Sequence, residues 1–339
     1  MSPPNEHIQG GQWWTRYQPV SYKLESRSGN RGSFQNMVQK CNSVGVNVIV
    51  DAVINHMTGH GASGQGTGGS GFNGGALDYP GVPFGSGDFH QPYCEISNYN
   101  DINQVRNCYL VSLNDLNGGK DYVRQKIADY FNDLIDIGVK GFRVDASKHM
   151  WPGDLYAIQE KTKDLPEGGR PLFFHEVIDM GGEAIHADEY FGVGKVTEFR
   201  YGIKLAECIR GGDFNCLGGI YDANWGMADG MHAVVFVDNH DNQRGHGGAG
   251  GVLTACGPDH NDWWYKIGAA FLLAHDYGFK RVMSSYYFDN TDQGPPGAQP
   301  APFPNACGNG WTCEHRFAPW NIVSGCEDNI DIIIGGAPS

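Results

Sequence analysis

Four acidic residues sit in or just after short apolar runs, and their types and spacing suggest the chemistry open to this chain. Asp51 lies within the run 46–54, Asp145 closes Gly141-Phe142-Arg143-Val144, Glu176 follows Leu172-Phe173-Phe174-His175, and Asp241 ends Phe236-Val237-Asp238-Asn239-His240. Arg143 and Asp145 are two residues apart, so on a strand their side chains share one face. A cation beside a carboxylate keeps it ionised, which is what a nucleophilic carboxylate requires. Glu176 follows an apolar run, a setting that favours the protonated form of an acid. An isolated Arg-x-Asp is ordinarily a structural ion pair. Repetition of acids at successive strand ends is what points beyond that. Several carboxylates converging on an aromatic-lined pocket suit acid/base work at a sugar acetal, with one acid as nucleophile and another as proton donor.

The elements that must position these acids can be read from periodicity. Apolar residues Ile127, Tyr130, Phe131, Leu134 and Ile135 recur at helical spacing over 122–137, and Gly138 breaks the pattern. Strands are expected over 46–54, 139–144, 171–177, 196–199, 233–237 and 279–284, and helices over 33–44, capped by Ser33, and over 263–274. Asp145 and Glu176 are 31 residues apart and Glu176 and Asp241 are 65 apart, close to one and two βα units of roughly 30 residues. Asp51 to Asp145 spans 94 residues, one unit plus a glycine-rich excursion. Parallel barrel strands all deliver their C-terminal ends to one face, where barrel active sites lie. The expected fold class is therefore α/β, a (β/α)8 barrel with an irregular loop-rich insertion after its third strand.

Composition restricts the alternatives. The chain has 339 residues, a net charge of −14, 50 glycines and 12% aromatic residues. That balance argues against nucleic acid or an anionic membrane as the main partner. No apolar run approaches the roughly 18 residues of a membrane span, and no signal peptide opens the chain. Of nine cysteines, Cys94 with Cys108, Cys208 with Cys216 and Cys307 with Cys313 form candidate local disulfides, and Cys41, Cys256 and Cys326 are left over. Cysteine usage of this kind suggests an extracellular origin. Trp13-Trp14-Thr15-Arg16-Tyr17-Gln18 packs three aromatics among polar residues and serves either as core or as a sugar-stacking platform.

Four blocks carry a resemblance: Asp51-Ala52-Val53-Ile54-Asn55-His56, Gly141 to His149, Glu176-Val177-Ile178-Asp179 and Phe236 to Asp241. In this order and spacing the chain resembles the α-amylase family, closest to the secreted animal-type members, from Ser2 to about Arg316. The resemblance implies that Asp145 is the nucleophile, Glu176 the acid and then the base, and Asp241 the residue holding sugar hydroxyls at the transition state. It implies sugar contacts from Trp13, Trp14, Tyr17, Gln18, Asp51, His56, Lys148, His149, His240 and His246. It also implies a calcium ion on Asn55, Asp115 and the carbonyls of Arg106 and His149, and a chloride ion on Arg143, Asn239 and Arg281. Oxygen ligands suit Ca²⁺. The expected activity is retaining endo-hydrolysis of α-1,4-glucosidic bonds in starch and glycogen, by a secreted, monomeric enzyme whose partner is the α-glucan.

Departures from the family pattern qualify this reading. Family members place two strands and a helix before the Ser2-Pro3-Pro4 loop, and a β-sandwich domain after the barrel. Neither is found here, which suggests a fragment. The resulting expectation for domains is a partial barrel over 1–54 and 117–320, an inserted calcium-binding loop domain over 55–116, and a divergent tail over 321–339. An opened barrel would leave this chain inactive or nearly so. A glucan-binding module without catalysis is the competing reading. A barrel metal hydrolase would need a cluster of His and carboxylate ligands, and no His-x-His pair occurs. A membrane-associated homologue would need a transmembrane helix.

Overall fold

The computed structural model describes residues 1–221, 225–247, 250–254, 262–286, 288, 290–294 and 330–334, with backbone only at 262 and 330–334. Within these residues the chain divides into two compact units. Unit 1 comprises residues 1–176 with 192–194, and unit 2 comprises 177–191 with 195–339.

Unit 1 is built on three parallel strands, β1 (Ile49–Ala52), β6 (Gly141–Val144) and β7 (Leu172–His175). β6 is central: Asp51 pairs with Arg143 on one side and Arg143 with Phe174 on the other. Gly141 is required at this seam, because a Cβ there would lie 2.6 Å from the Leu172 carbonyl. Helices α1 (Arg31–Ser43), α3 (Asp121–Ile137) and α4 (Pro152–Glu160) accompany the strands. The apolar stripe of α3 is buried as its spacing predicts, and Phe131 stacks on Phe142 with centroids 4.3 Å apart. Gly138 ends the helix in the left-handed region at φ 114°, where glycine carries no Cβ penalty. The helix expected over 33–44 starts earlier: Asn30 is its cap, accepting from the Ser33 N–H. Ser33 and Asn30 are both good caps, and only the backbone conformation decides between them.

Between β1 and α3 runs the loop-rich excursion. It holds short strands β2 (His56–Gly59), β3 (Ser63–Gln65), β4 (Gly71–Asn73) and β5 (Leu113–Asp115), and a helix α2 (Ile102–Asn107). β2 pairs antiparallel with β5, and β3 with β4. The disulfide Cys94–Cys108 closes a loop within it. Buried Glu6 anchors the glycine-rich loop, accepting from Ser21 Oγ and from the N–H groups of Gly68 and Ser70. The Trp13–Tyr17 segment is a 3₁₀ turn. Its tighter spacing buries Trp13 and Arg16 and leaves Trp14 and Tyr17 half-exposed.

In unit 2, β8 (Lys195–Thr197), β9 (Ala233–Val235) and β10 (Phe279–Ser284) run parallel, β8 with β9 and β9 with β10. The strand expected over 196–199 ends at Thr197, and Phe199 instead opens helix α5 (Phe199–Gly211). Leu205 and Ile209 cluster with Val235 and Leu253, and Phe199 with Phe236, which makes that helix part of the core. Helix α6 (Asp262–Ala274) lies where periodicity places it. Strand β11 (Ile330–Ile334), inside the stretch expected to be a divergent tail, pairs antiparallel with β10. Cys208 and Cys216 are bonded and Cys41 is free. Cys256, Cys307, Cys313 and Cys326 lie outside the described residues.

Candidate active site

Strand register builds the candidate site in unit 1. Because Asp51 and Arg143 are partners across β1 and β6, their side chains rise on the same face. Arg143 Nη1 donates to both Asp51 oxygens, at 2.7 and 2.8 Å, and to Asp145 Oδ1 at 2.8 Å. Its other terminal nitrogen lies 2.5 Å from Glu176 Oε1. One guanidinium, 2% exposed, therefore touches three carboxyl groups. Burial opposes its charge, but Asp51, Glu176 and Asp145 together raise its pKa well above the usual value. Arg143 stays a cation.

Glu176 does not meet the apolar surroundings expected from the run that precedes it. Alternation sends Phe173 to the other face, and the Glu176 carboxyl meets the Arg143 guanidinium and the Ala146 N–H, which donates to Oε2 at 2.9 Å. Ala146 delivers that N–H from a left-handed backbone, φ 50°. Such a conformation costs a non-glycine residue about 1 kcal/mol or more and persists only where its surroundings fix it. Lys148 N–H donates to the Glu176 carbonyl at 3.2 Å, so the turn after Asp145 is laced to the end of β7.

Around this centre stand further expected residues. Tyr17 Oη donates to Asp51 Oδ2 at 2.8 Å. His56 Nε2 lies 3.0 Å from the Tyr17 carbonyl, and burial lowers its pKa to about 4. Its ring is neutral, with the proton on Nε2 toward that carbonyl. Lys148 Nζ sits 5.0 Å over the Tyr99 ring. Trp13 meets Tyr17 edge-on at 6.0 Å. Gln18 Oε1 accepts from the Gly59 N–H at 3.0 Å, so its carbonyl oxygen already holds the start of the excursion.

The residues expected to hold calcium fall into two groups. Asn55 Nδ2 lies 3.2 Å from Asp115 Oδ1, and His90 Nδ1 lies 2.5 Å from Asp115 Oδ2. Burial pushes the Asp115 carboxyl up to about 7 despite those partners. His149 Nδ1 contacts the Val105 carbonyl at 3.0 Å, directly before Arg106, and burial lowers its pKa to about 4. Among the described residues no group of three or more His, Cys, Asp or Glu side chains gathers. An amide, a carboxylate and two carbonyls form a different donor set, the kind a hard cation accepts.

Unit 2 holds the remaining candidates. His240 is buried, and its Nε2 lies 3.4 Å from Asp241 Oδ2. Asn239 Oδ1 accepts from the N–H groups of Asp241 and Asn242, at 3.0 and 2.7 Å, and His246 N–H donates to the Asp241 carbonyl. Arg281 is buried, its guanidinium 5.8 Å from the Phe236 ring centre. Two buried donors among the residues expected to hold chloride, Arg143 Nε in unit 1 and Asn239 Nδ2 in unit 2, find no acceptor among the described residues.

Sequence reasoning paired Arg143 with Asp145 alone. Its contacts with Asp51 and Glu176 come from register, which single-strand periodicity does not supply. It also passed over His175, whose position beside Glu176 was the only available signal.

Comparison with known proteins gives a consistent answer. The profile of the α-amylase catalytic domain matches residues 9–171. An α-amylase of Pecten maximus is 51% identical over 96% of this chain and 67% of its own length. Alpha-amylase 1A of Homo sapiens is 50% identical over 94% of this chain and 68% of its own. The chain thus spans about two thirds of the relatives it matches. Crystal structures of α-amylase I from Eisenia fetida, wild type and a Glu-to-Gln mutant with maltohexaose, superpose with a TM-score of 0.83 at 45% identity, covering 93% of this chain and 68% of theirs. That superposition and the parallel strands of both units bear out the barrel class, with fewer than eight of its strands among the described residues.

Proposed function

Because the chain belongs to the α-amylase family, we propose, against the inactivity expected of an opened barrel, that it hydrolyses internal α-1,4-glucosidic bonds of starch and glycogen with retention of configuration. Asp145 attacks the anomeric carbon while Glu176 protonates the departing glycosidic oxygen. Glu176 then takes a proton from water, which displaces Asp145 and restores both groups. From unit 2, Asp241 and His240 carry the family role of holding sugar hydroxyls, with His246 as a further sugar contact. In unit 1, Trp13, Trp14, Tyr17, Gln18, Asp51, His56, Lys148 and His149 do the same.

The observation that carries this reading is the shared guanidinium. Two carboxyl groups held by the two terminal nitrogens of Arg143 suit the ~5–5.5 Å separation of retaining enzymes better than the ~6.5–9.5 Å of inverting ones.

Calcium held by Asn55, Asp115 and the Arg106 and His149 carbonyls would tie the excursion, a domain over 55–116, to the strands. Chloride would supply negative charge beside Arg143, with Asn239 and Arg281 as its other contacts. The working form is a secreted monomer acting on free α-glucan. No described helix is long and apolar enough to cross a membrane.

Asp145→Asn and Glu176→Gln, assayed by reducing-sugar release from soluble starch, test the assignment. Each should lose activity by at least about a thousand-fold, the order of magnitude for losing a nucleophile or its acid, while binding to amylose is retained. Parallel loss of binding and turnover would assign the two residues a structural role. Binding without turnover in the unmutated chain would make it a glucan-binding module.

A further inference from the structure

His175 is the polar residue of β7, whose other members are Leu172, Phe173 and Phe174. Alternation puts Phe174 and Glu176 on the Arg143 face and Phe173 and His175 on the opposite one. On that opposite face Phe173 lies 5.7 Å from Phe131 of α3 and 5.4 Å from Phe142. His175 is wholly buried beside this aromatic layer. A polar ring in such a place is costly unless it is hydrogen-bonded, so its partners carry the meaning.

Those partners hold the ring at both nitrogens. Nε2 lies 3.1 Å from the Val193 carbonyl and 3.4 Å from Gln159 Nε2. Gln159 of α4 donates to the same carbonyl at 2.8 Å. Burial keeps the ring neutral, its pKa lowered to about 4. Nδ1 lies 3.0 Å from Ser147 Oγ. Ser147 Oγ donates to the Val144 carbonyl at 2.9 Å, and the same carbonyl accepts the Glu176 N–H. The imidazole thus ties the residue before Glu176 to the turn that follows Asp145.

We propose that His175, acting through Ser147, is a positioning residue that holds the Asp145–Ala146 turn against Glu176. This rests on the assignment of Asp145 and Glu176 as the catalytic pair. The strained backbone of Ala146 gives the tie a purpose. A left-handed alanine relaxes unless its neighbours hold it, and relaxation would withdraw the N–H from Glu176 Oε2 and shift Asp145.

Ser147→Ala, His175→Leu and the double variant test the idea, with kcat and KM measured on maltoheptaose alongside thermal melting. Either single change should lower kcat about ten- to hundred-fold, the scale of an ångström-level misplacement, with KM within about two-fold. The double variant should be no worse than the more severe single. His175→Asn places an amide where Nδ1 was and should recover most of the loss, whereas His175→Gln should not. Wild-type kcat in a cooperatively melting Ser147→Ala protein, or losses that multiply in the double variant, would overturn the proposal. Failure of the underlying assignment reads differently: Asp145→Asn itself would then retain full turnover.

Discussion

Replacing Arg143 by Met should destabilise unit 1 severely, and the size follows from its contacts. The side chain is 2% exposed and makes contacts of 2.5–2.8 Å with Asp51, Asp145 and Glu176. Methionine fills most of the volume but leaves three buried acids with no cation among them. Removing one partner of a buried pair typically costs about 3–5 kcal/mol because the other charge stays buried. Three stranded acids put the change at or above the top of that range, about three to four powers of ten in the unfolding constant. Total stability is only about 5–15 kcal/mol, so the variant should sit near the edge of folding. Arg143→Lys should recover a part, since an ammonium restores charge but cannot present two separate nitrogens. Urea unfolding followed by tryptophan fluorescence measures the effect. Adding Asp51→Asn to Arg143→Met should restore about 1 kcal/mol or more, because one stranded charge is gone. A loss below about 1 kcal/mol for Arg143→Met, or no recovery in the double variant, would refute the view that this cation holds the site together.

Three other outcomes follow from the same structure. Chelating calcium should lower the melting temperature of the chain, and Asp115→Ala should abolish that response, because bound ion stabilises by mass action only while its ligand persists; an unchanged chelator shift in the variant would move the ion elsewhere. His7 should make the protein acid-sensitive. Its pKa is lowered to about 3 by burial and by Arg16 and Arg27, and its ring contacts the Ile8 carbonyl through Nδ1 and accepts the Arg27 N–H at Nε2. A depressed histidine binds more protons when unfolded, so stability present above pH 6.5 is lost as pH falls toward 3, by about 1.4 kcal/mol per unit; His7→Gln should flatten that limb in melts at pH 4–6.5. Chloride should raise activity, and an Arg281→Gln variant that still responds would remove Arg281 from the chloride site.

Much of this was legible in the chain because regular elements announce themselves through period. The α3 stripe from Val123 to Ile137 and the intervals between Asp145, Glu176 and Asp241 need no tertiary information. Other features depend on it. Phe199 looks like the end of a strand until Leu205 and Ile209 are seen packing with it as a helix. The 3₁₀ turn at Trp13–Tyr17 has no periodic signature, and its half-exposed rings follow from packing. The three-way contact of Arg143 exists because β1 and β6 pair in the register that sets Asp51 beside it, a choice no local pattern encodes. Glu176 shows the limit of reasoning by sequence neighbourhood: Phe173 lines another face, and the Glu176 carboxyl meets a cation and a backbone N–H.

The central claim is that Asp145 and Glu176 act as nucleophile and acid/base across one shared cation. Proton NMR of the first products released from maltoheptaose tests it most directly, because the anomeric signal is read before mutarotation blurs it. Double displacement predicts α-configured reducing ends at the earliest times. Products that first appear in the β configuration would mean that water attacks the anomeric carbon directly, and Asp145 could not then be the nucleophile.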